Sequence, residues 1–426
     1  MDDRLARRQG NIGHIIAKMN RRDITLLFST RIVRLFAYGF LSVVLVLYLI
    51  QVGLSEAQVG LLITLTLAGD AAISLWLTTN ADRLGRRRIL ITSALLMILA
   101  GIIFLITDNI ILLIAAAIIG VLSPSGNEIG PFLSIEQASL TQLLPDEKRT
   151  QSFAWYNLAG SVATAFGALI GGGLAQVLQG FGLNALDAYR IVLTVYALAG
   201  ASLIVLFSLL SPAIEVRPAA AAHVNRFGLS EGSRSIVAKL SGLFALDAFA
   251  GGFIVQSLIA YWFYTKFNID TAMIGAIFFG ANILAGISAL SAASIAKRIG
   301  LINTMVATHL PSNILLMLVP LMPTLPLAII VLLLRFSISQ MDVPTRQSYV
   351  MAVVQPQERS AASGITGIAR SVGAALSPAL TGALLANPAL LSLPFFLGGG
   401  LKIVYDLLLY RAFKTTKPPE EQNKPA

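Results

Sequence analysis

Arg335, Ser339, Asp342 and Arg346 stand at i, i+4, i+7 and i+11 of an otherwise apolar stretch, the spacing of a single helical face. Such a stripe can line a wet cavity and hold an anion. Alternatively, Asp342 and Arg346, four residues apart, neutralise each other, which leaves Arg335 without a partner in its own helix. Arg31, Arg34, Tyr38 and Ser42 form a comparable stripe at offsets 0, 3, 7 and 11. Carboxylates also fall in apolar runs: Asp70, Glu128, Glu136, Asp247, Asp342 and Asp406. With Arg31, Arg34, Arg335, Arg346, Arg370 and Lys402 they make six charges of each sign. An ionised group at the centre of a bilayer costs at least about 2.5–3.5 kcal/mol, so each needs a partner or water. A carboxylate desolvated in apolar surroundings favours its neutral form, the property that proton coupling uses. Glu128, beside Asn127, is the first candidate, followed by Glu136, Asp247 and Asp342.

The elements that position these residues follow from composition. Of 426 residues 56% are apolar and 12% charged, against about 25% charged in a soluble domain, which excludes a soluble globular protein. Twelve apolar runs recur, roughly 24–50, 57–79, 89–106, 110–144, 152–178, 188–210, 236–263, 271–295, 300–319, 325–354, 360–386 and 389–412. Each is long enough to cross a hydrocarbon core as a helix. The fold class is therefore an all-α membrane protein with twelve transmembrane helices. The fourth run is long for one straight span, and Ser123-Pro124-Ser125-Gly126 is expected to break it. Ser55, with Gln58 three residues on, reads as a capping box opening the second helix.

The formal charge of +10 could indicate nucleic acid, but its placement argues otherwise. If the N-terminus is cytoplasmic, 23 of the 31 Lys and Arg residues fall on that side, and only Arg190 and Lys266 fall on the other. This asymmetry orients a multi-pass protein of the cell membrane, both termini inside, with the lipid bilayer and no nucleic acid as partners. Cysteine is absent, which excludes disulfides and thiolate chemistry. The three histidines are too scattered for a metal site, intramembrane glycines follow no strand, and no cofactor or enzymatic constellation is indicated. Trp76, Trp155 and Trp262 near run ends are expected to anchor at the interface, as are Tyr156 and Asn157.

Two halves of six runs, 24–211 and 236–412, flank a polar linker at 212–235, with tails at 1–23 and 413–426. They read as repeats. A shift of 215 matches Gly60, Arg83 and Gly85 with Gly275, Arg298 and Gly300, and a shift of 210 pairs Gln137, Arg149, Ser161 and Gly172 with Gln347, Arg359, Ser371 and Gly382. Under this alignment Arg31 corresponds to Asp247 and Glu136 to Arg346, with signs swapped. The four residues are expected to pair as Arg31–Glu136 and Asp247–Arg346 within halves, as permanent neutralisation, or to bridge the halves as a switchable gate.

Between the second and third runs, Asn80-Ala81-Asp82-Arg83-Leu84-Gly85-Arg86-Arg87-Arg88 resembles the loop signature of the major facilitator superfamily, Gly-x-Leu-Ala-Asp-Arg-x-Gly-Arg-Arg, from its Ala-Asp-Arg onward. Thr78 and Asn80 stand at its opening Gly and Leu. Gly167-Ala168-Leu169-Ile170-Gly171-Gly172 resembles the antiporter signature Gly-Pro-x-x-Gly-Gly with Ala for Pro, although small residues at this spacing also suit close helix crossing. The first resemblance implies a twelve-helix transporter whose helices 1, 4, 7 and 10 line a central cavity. It also implies that Asp82, Arg83, Gly85 and Arg86 gate the conformation, with Asp82 meeting the N-terminal dipole of helix 11. Packing of helices 2 and 11 in that family makes Asp70–Arg370 a further gating pair. The expected function is secondary active transport by alternating access, proton-coupled export of a small organic compound by a monomer. Uptake of an organic anion with protons is the alternative, and a non-transporting sensor or scaffold is the reading from another class.

Overall fold

Apolar segments that cannot offer backbone N–H and C=O groups to water must satisfy them internally, and the helix does so within one segment. In a computed structural model of the protein, which describes residues 2–128, 130–215, 229–355 and 358–416, the chain is helical between its joins. In order the helices are α1 (Asp2–Ser42), α2 (Leu45–Gln51), α3 (Glu56–Leu84), α4 (Arg86–Ile106), α5 (Ile110–Ile119), α6 (Phe132–Leu143), α7 (Asp146–Gly180) and α8 (Ala185–Ser208). They continue with α9 (Glu231–Gly252), α10 (Gln256–Phe267), α11 (Thr271–Ile299), α12 (Leu301–Leu318), α13 (Leu325–Ser339), α14 (Asp342–Ala352), α15 (Arg359–Leu385) and α16 (Leu393–Phe413). Eleven segments among the described residues are long and apolar enough to cross a membrane. The twelfth crossing is α5 followed by α6, so the twelve expected spans are present. The central part of the linker, 216–228, and the end of the C-terminal tail lie outside the described residues.

Every third span is broken into two helices. Span 1 divides into α1 and α2, span 4 into α5 and α6, span 7 into α9 and α10, and span 10 into α13 and α14, whereas the other eight are continuous. The local causes differ. In span 4 the expected Ser123–Gly126 breaker extends from Gly120 to Pro131, where Gly126 and Gly130 take φ of 68° and 79°, accessible to glycine at no steric cost. In span 10, Pro344 lacks the N–H that would bond to Gln340 and its ring crowds that carbonyl, so the helix restarts at Asp342. Gly251 and Gly252 precede the break of span 7. Nothing in the composition around Val43 and Val44 marks the break of span 1.

The repeat is visible in the joins. Gly85 and Gly300 both have positive φ, 97° and 89°, each closing one helix and opening the next. Ser55 caps α3 through a capping box with Gln58, and Asp270, 215 positions later, caps α11 by accepting from the Met273 amide.

The halves are sealed at the end remote from the termini, where small residues let spans cross closely. A Cβ on Gly60 would sit 2.7 Å from Gly382 Cα, and one on Gly275 would sit 2.6 Å from Ala168 O. Hydrogen bonds joining the halves gather there: Tyr261 to Glu56 (2.7 Å), Gln256 to Ser42 (2.8 Å), Thr271 to Gly172 O (3.0 Å), and the Ala379 amide to Thr64 (2.9 Å). The Ser257 amide also donates to Pro124 O at 3.1 Å. The breaks of spans 1, 4 and 7 thus meet, and Asn282 of α11 donates to Gln256 at 3.2 Å behind them. Gly172 takes part in the same packing, against Thr271 and Gly275, whereas Gly167 and Gly171 let α7 cross α1 within the first half, since a Cβ on either would clash with the α1 backbone at Phe36 or Phe40.

Candidate functional site

Between the ends of the spans that face the termini lies a cavity of about 970 Å³. It is walled mainly by α9, α11, α14 and α15, with Gln137 of α6 opposite. Lys297, Arg346, Arg359 and Arg370 are among the lining residues, and among the described residues no acidic one lines it. The seal at one end and the cavity at the other give an alternating-access shape open toward the termini.

In the first half the charges form one closed network. Arg34 is wholly buried and donates two N–H to Glu136, at 2.8 and 2.6 Å, while its Nε donates to Glu128 at 2.7 Å. Arg31 donates to Glu128 (2.8 Å), to Tyr156 O (2.8 Å) and to Asn157 (3.2 Å). The Thr30 hydroxyl donates to Glu136 at 2.8 Å, and Tyr156 Oη donates to the same carboxylate. The expected Arg31–Glu136 pair is therefore not made. Glu136 is filled by Arg34, Thr30 and Tyr156, and Arg31 turns instead toward span 5 and Glu128. Glu128 is not an isolated carboxylate either. Two guanidiniums lie on it, which joins it to Glu136 through Arg34. Tyr156 and Asn157 face this network rather than anchoring at the interface. Tyr38 is buried with no hydrogen-bond partner for its hydroxyl.

In the second half Asp247 is the hub. Its Oδ2 accepts from Arg346 (3.3 Å) and Arg370 (3.0 Å), and its Oδ1 from Lys402 (2.5 Å). The expected Asp247–Arg346 contact is thus present. Asp342 and Arg346 also pair, at 2.7 Å. Because span 10 is broken at Gln340 and Met341, the stripe read as one face is divided: Arg335 and Ser339 end α13, and Asp342 and Arg346 begin α14. Arg335 is 8% exposed. Its Nε has no hydrogen-bond partner, and its guanidinium lies 4.9 Å from the Phe336 ring centroid. The described ion pairs stay within halves, and none bridges them.

The expected Asp70–Arg370 pair is absent. Arg370 is drawn to Asp247, and Asp70 accepts from Ser74 at 3.1 Å. Asp82 likewise does not meet span 11. Its side chain is 59% exposed and bonds to Arg86 of the next turn at 2.9 Å, because the terminal ends of the halves stand apart around the cavity. The helix N-terminus served locally is that of α4. Glu215 accepts from the Arg86 and Arg87 amides at 2.7 and 3.2 Å, a carboxylate placed on the positive end of the helix dipole. Arg86 also reaches Gln142 and Ile214 O. Arg83 stands in the last turn of α3.

Sequence reasoning missed His309 and Asn313 as participants and gave Lys402 and Asp406 no partner. His309 Nδ1 lies 2.8 Å from Asp406 Oδ1, and Asn313 donates to Asp406 Oδ2 at 3.0 Å. Lys402 closes onto Asp247. His309 and Asn313 are four apart in α12, and Lys402 and Asp406 four apart in α16. Those two i, i+4 polar pairs in apolar runs were the available signal. Trp262 does not anchor at an interface. It is fully buried against Phe263, Phe267 and Phe395, whereas Trp76 and Trp155 are exposed.

Comparison with known proteins agrees with this architecture. The chain is 32% identical over 422 residues to the uncharacterized membrane protein YJR124C of Saccharomyces cerevisiae, covering 92% of this chain and 94% of that one. Among solved structures it resembles a bacterial homolog of the human lysosomal transporter Spinster in an inward-facing, unoccupied conformation (TM-score 0.68, 16% identity, 92% of this chain and 95% of that one). It also resembles the human organic anion transporter MFSD10 (TM-score 0.61, 16% identity, 92% and 99%). The model of the Major Facilitator Superfamily matches residues 27–378 and 240–426. Twelve spans in two repeated sets, sealed at one end and open at the other, together with that match, place the chain in the Major Facilitator Superfamily.

Proposed function

We propose that the protein carries a small organic anion across the membrane together with protons, by alternating access. The carrying observation is the cavity lining: among the described residues, four basic side chains and no acidic one surround about 970 Å³, and two of the four, Arg346 and Arg370, share Asp247 behind the wall. A concave, one-sign surface with low-dielectric walls concentrates the opposite charge. Arg335, buried and with no hydrogen bond to its Nε among the described residues, is a further cationic position that an anionic group would neutralise. Proton and anion then favour each other's binding, because binding free energies are linked reciprocally and an added positive charge beside the site strengthens its hold on an anion. That supports movement in the same direction over exchange. Export rested on the Gly167–Gly172 signature, whose Gly167, Gly171 and Gly172 take part in helix contacts. On this reading residues 24–211 and 236–412 are the two units that rock about the cavity, joined by 212–235. The basic asymmetry of the loops supports both termini lying in the cytoplasm.

Purified protein reconstituted into vesicles, with an acidic exterior, tests this against a panel of carboxylates and sulfonates. Anion accumulation inside, abolished by a proton ionophore, is the expected result. Anion movement outward against its gradient would support export instead, and no movement of any anion would overturn the reading.

A further inference from the structure

Behind the cavity, Asp247 divides its two oxygens between two populations. Oδ2 faces Arg346 and Arg370, both of which line the cavity. Oδ1 faces away, to Lys402 at 2.5 Å and to His309 Nε2 at 3.9 Å. The other ring nitrogen of His309 is held by Asp406 at 2.8 Å. His309 is 5% exposed, Asp247 3% and Asp406 0%, so the imidazole is enclosed between two buried carboxylates and does not line the cavity. We propose that His309 is a proton-binding site that controls, through Asp247, how firmly Arg346 and Arg370 are available to an anion in the cavity; this rests on the anion reading above.

The geometry supplies the coupling. With Nδ1–H donated to Asp406, a neutral ring presents the Nε2 lone pair to Asp247 Oδ1, and the two acceptors have nothing to share. That accounts for a separation of 3.9 Å, too long for a hydrogen bond. A proton on Nε2 turns the same atom into a charged donor aimed at Oδ1, where it competes with Lys402 for the carboxylate. Asp247 then has a fourth neighbouring cation, beside Lys402 on Oδ1 and the two arginines on Oδ2. Its hold on each of them weakens, and both guanidiniums gain capacity for an anion from the cavity. In reverse, an anion drawn to Arg346 and Arg370 leaves Asp247 under-neutralised, which favours the imidazolium. Proton and anion are thus linked through one shared carboxylate, with no group passing between them.

The surroundings are restricted to a few ionisable groups. Packed against α12, α16 presents Lys402, Tyr405 and Asp406, and α14 presents Asp342 and Arg346. Asp247 reaches in from α9 and Arg370 from α15, while Arg335 belongs to the neighbouring α13. The Tyr405 ring meets the imidazole edge to face at 5.9 Å. Asn313, on the same helix, fixes the far oxygen of Asp406, so Asp406 orients the ring and Asp247 receives its second proton.

The test uses the full chain in lipid nanodiscs, with naphthalene disulfonate and inorganic sulfate as probes whose charge does not change across the range used. Binding is followed by calorimetry in buffers of different protonation enthalpy, which counts protons taken up per anion. The expected result is uptake of about one proton per site at neutral pH, with affinity rising several-fold toward pH 5, roughly as linkage requires. In His309→Gln the anion still binds but proton uptake and pH dependence are lost. Because a buried substitution can disturb folding, Arg370→Gln at the cavity wall and nitrogen NMR of the labelled His309 ring in unaltered protein provide independent readouts. The ring should shift toward the charged form on adding anion at a fixed pH. In Arg370→Gln that response to anion should diminish. A ring that stays neutral throughout, or unchanged proton uptake in His309→Gln, would overturn the role of His309 while leaving the anion reading standing. Failure of either anion to bind at any pH, with a normally titrating ring, would overturn the anion reading instead.

Discussion

Two buried arginines should respond oppositely to the same substitution. Arg34→Met removes a guanidinium that holds Glu136 through two hydrogen bonds of 2.8 and 2.6 Å and Glu128 through a third of 2.7 Å. Arg31 keeps Glu128, so Glu136, with no exposed surface, is left without a cation. Breaking a buried pair by removing one partner costs about 3–5 kcal/mol, and Arg34→Met is expected to destabilise by that amount. Arg335→Met removes a buried charge with no acidic partner. The gain is the insertion cost of a central arginine, about 2.5–3.5 kcal/mol, less a cation–π contact with Phe336 at 4.9 Å, about 0.5–2 kcal/mol. The net is stabilisation by about 0.5–3 kcal/mol, as substitution at a functional site often brings. Equilibrium unfolding in mixed micelles, followed by circular dichroism, compares the two with unaltered protein. Arg335→Met should be the more stable variant while losing anion transport. A loss of stability equal to that of Arg34→Met would show that Arg335 has a counter-charge, and the assignment of an open anion position there would fall.

The absence of native cysteine makes a cross-link clean: Thr64→Cys with Ala379→Cys joins α3 and α15 where a hydrogen bond of 2.9 Å now links them, within disulfide reach. Oxidation should stop transport and reductant restore it, and transport that continues with the bond formed would refute alternating access at this seal. At the opposite end, Glu358 accepts from the Ser230 amide and the Ser233 hydroxyl, each at 2.5 Å, and these hydrogen bonds hold its carboxyl below the usual glutamate range. Its contribution is therefore present above that range and lost as pH falls through the lowered value. Hydrogen exchange at the start of α9 should be faster in Glu358→Gln at pH 7 and indistinguishable from unaltered protein in acid; a difference that persists in acid would show that ionised Glu358 is not the cap.

The order of twelve spans, the breaker at Ser123–Gly126, the capping box at Ser55 and the paired turns at Gly85 and Gly300 were legible in the chain. Each depends on neighbours within a few residues, or on the bilayer's demand that backbone groups be satisfied inside the segment. The break of span 1 at Val43 and Val44 was not legible, because no glycine or proline marks it. Trp262 shows the same limit. Its place near a run end fits an anchor as well as a core, and only the ring of Phe395, 4.6 Å away, distinguishes them.

The sequence by itself determined that charges of both signs must be carried inside a membrane and on which helical faces they stand, because composition and the 3.6-residue period are local properties. Only the tertiary structure decided their partners. Arg34 rather than Arg31 holds Glu136, Arg370 joins Asp247 rather than Asp70, and His309 stands between Asp247 and Asp406. These groups come from spans about 60 to 120 positions apart. A helical face specifies a direction, while the reach of a long side chain and the span that happens to lie opposite select the charge it meets.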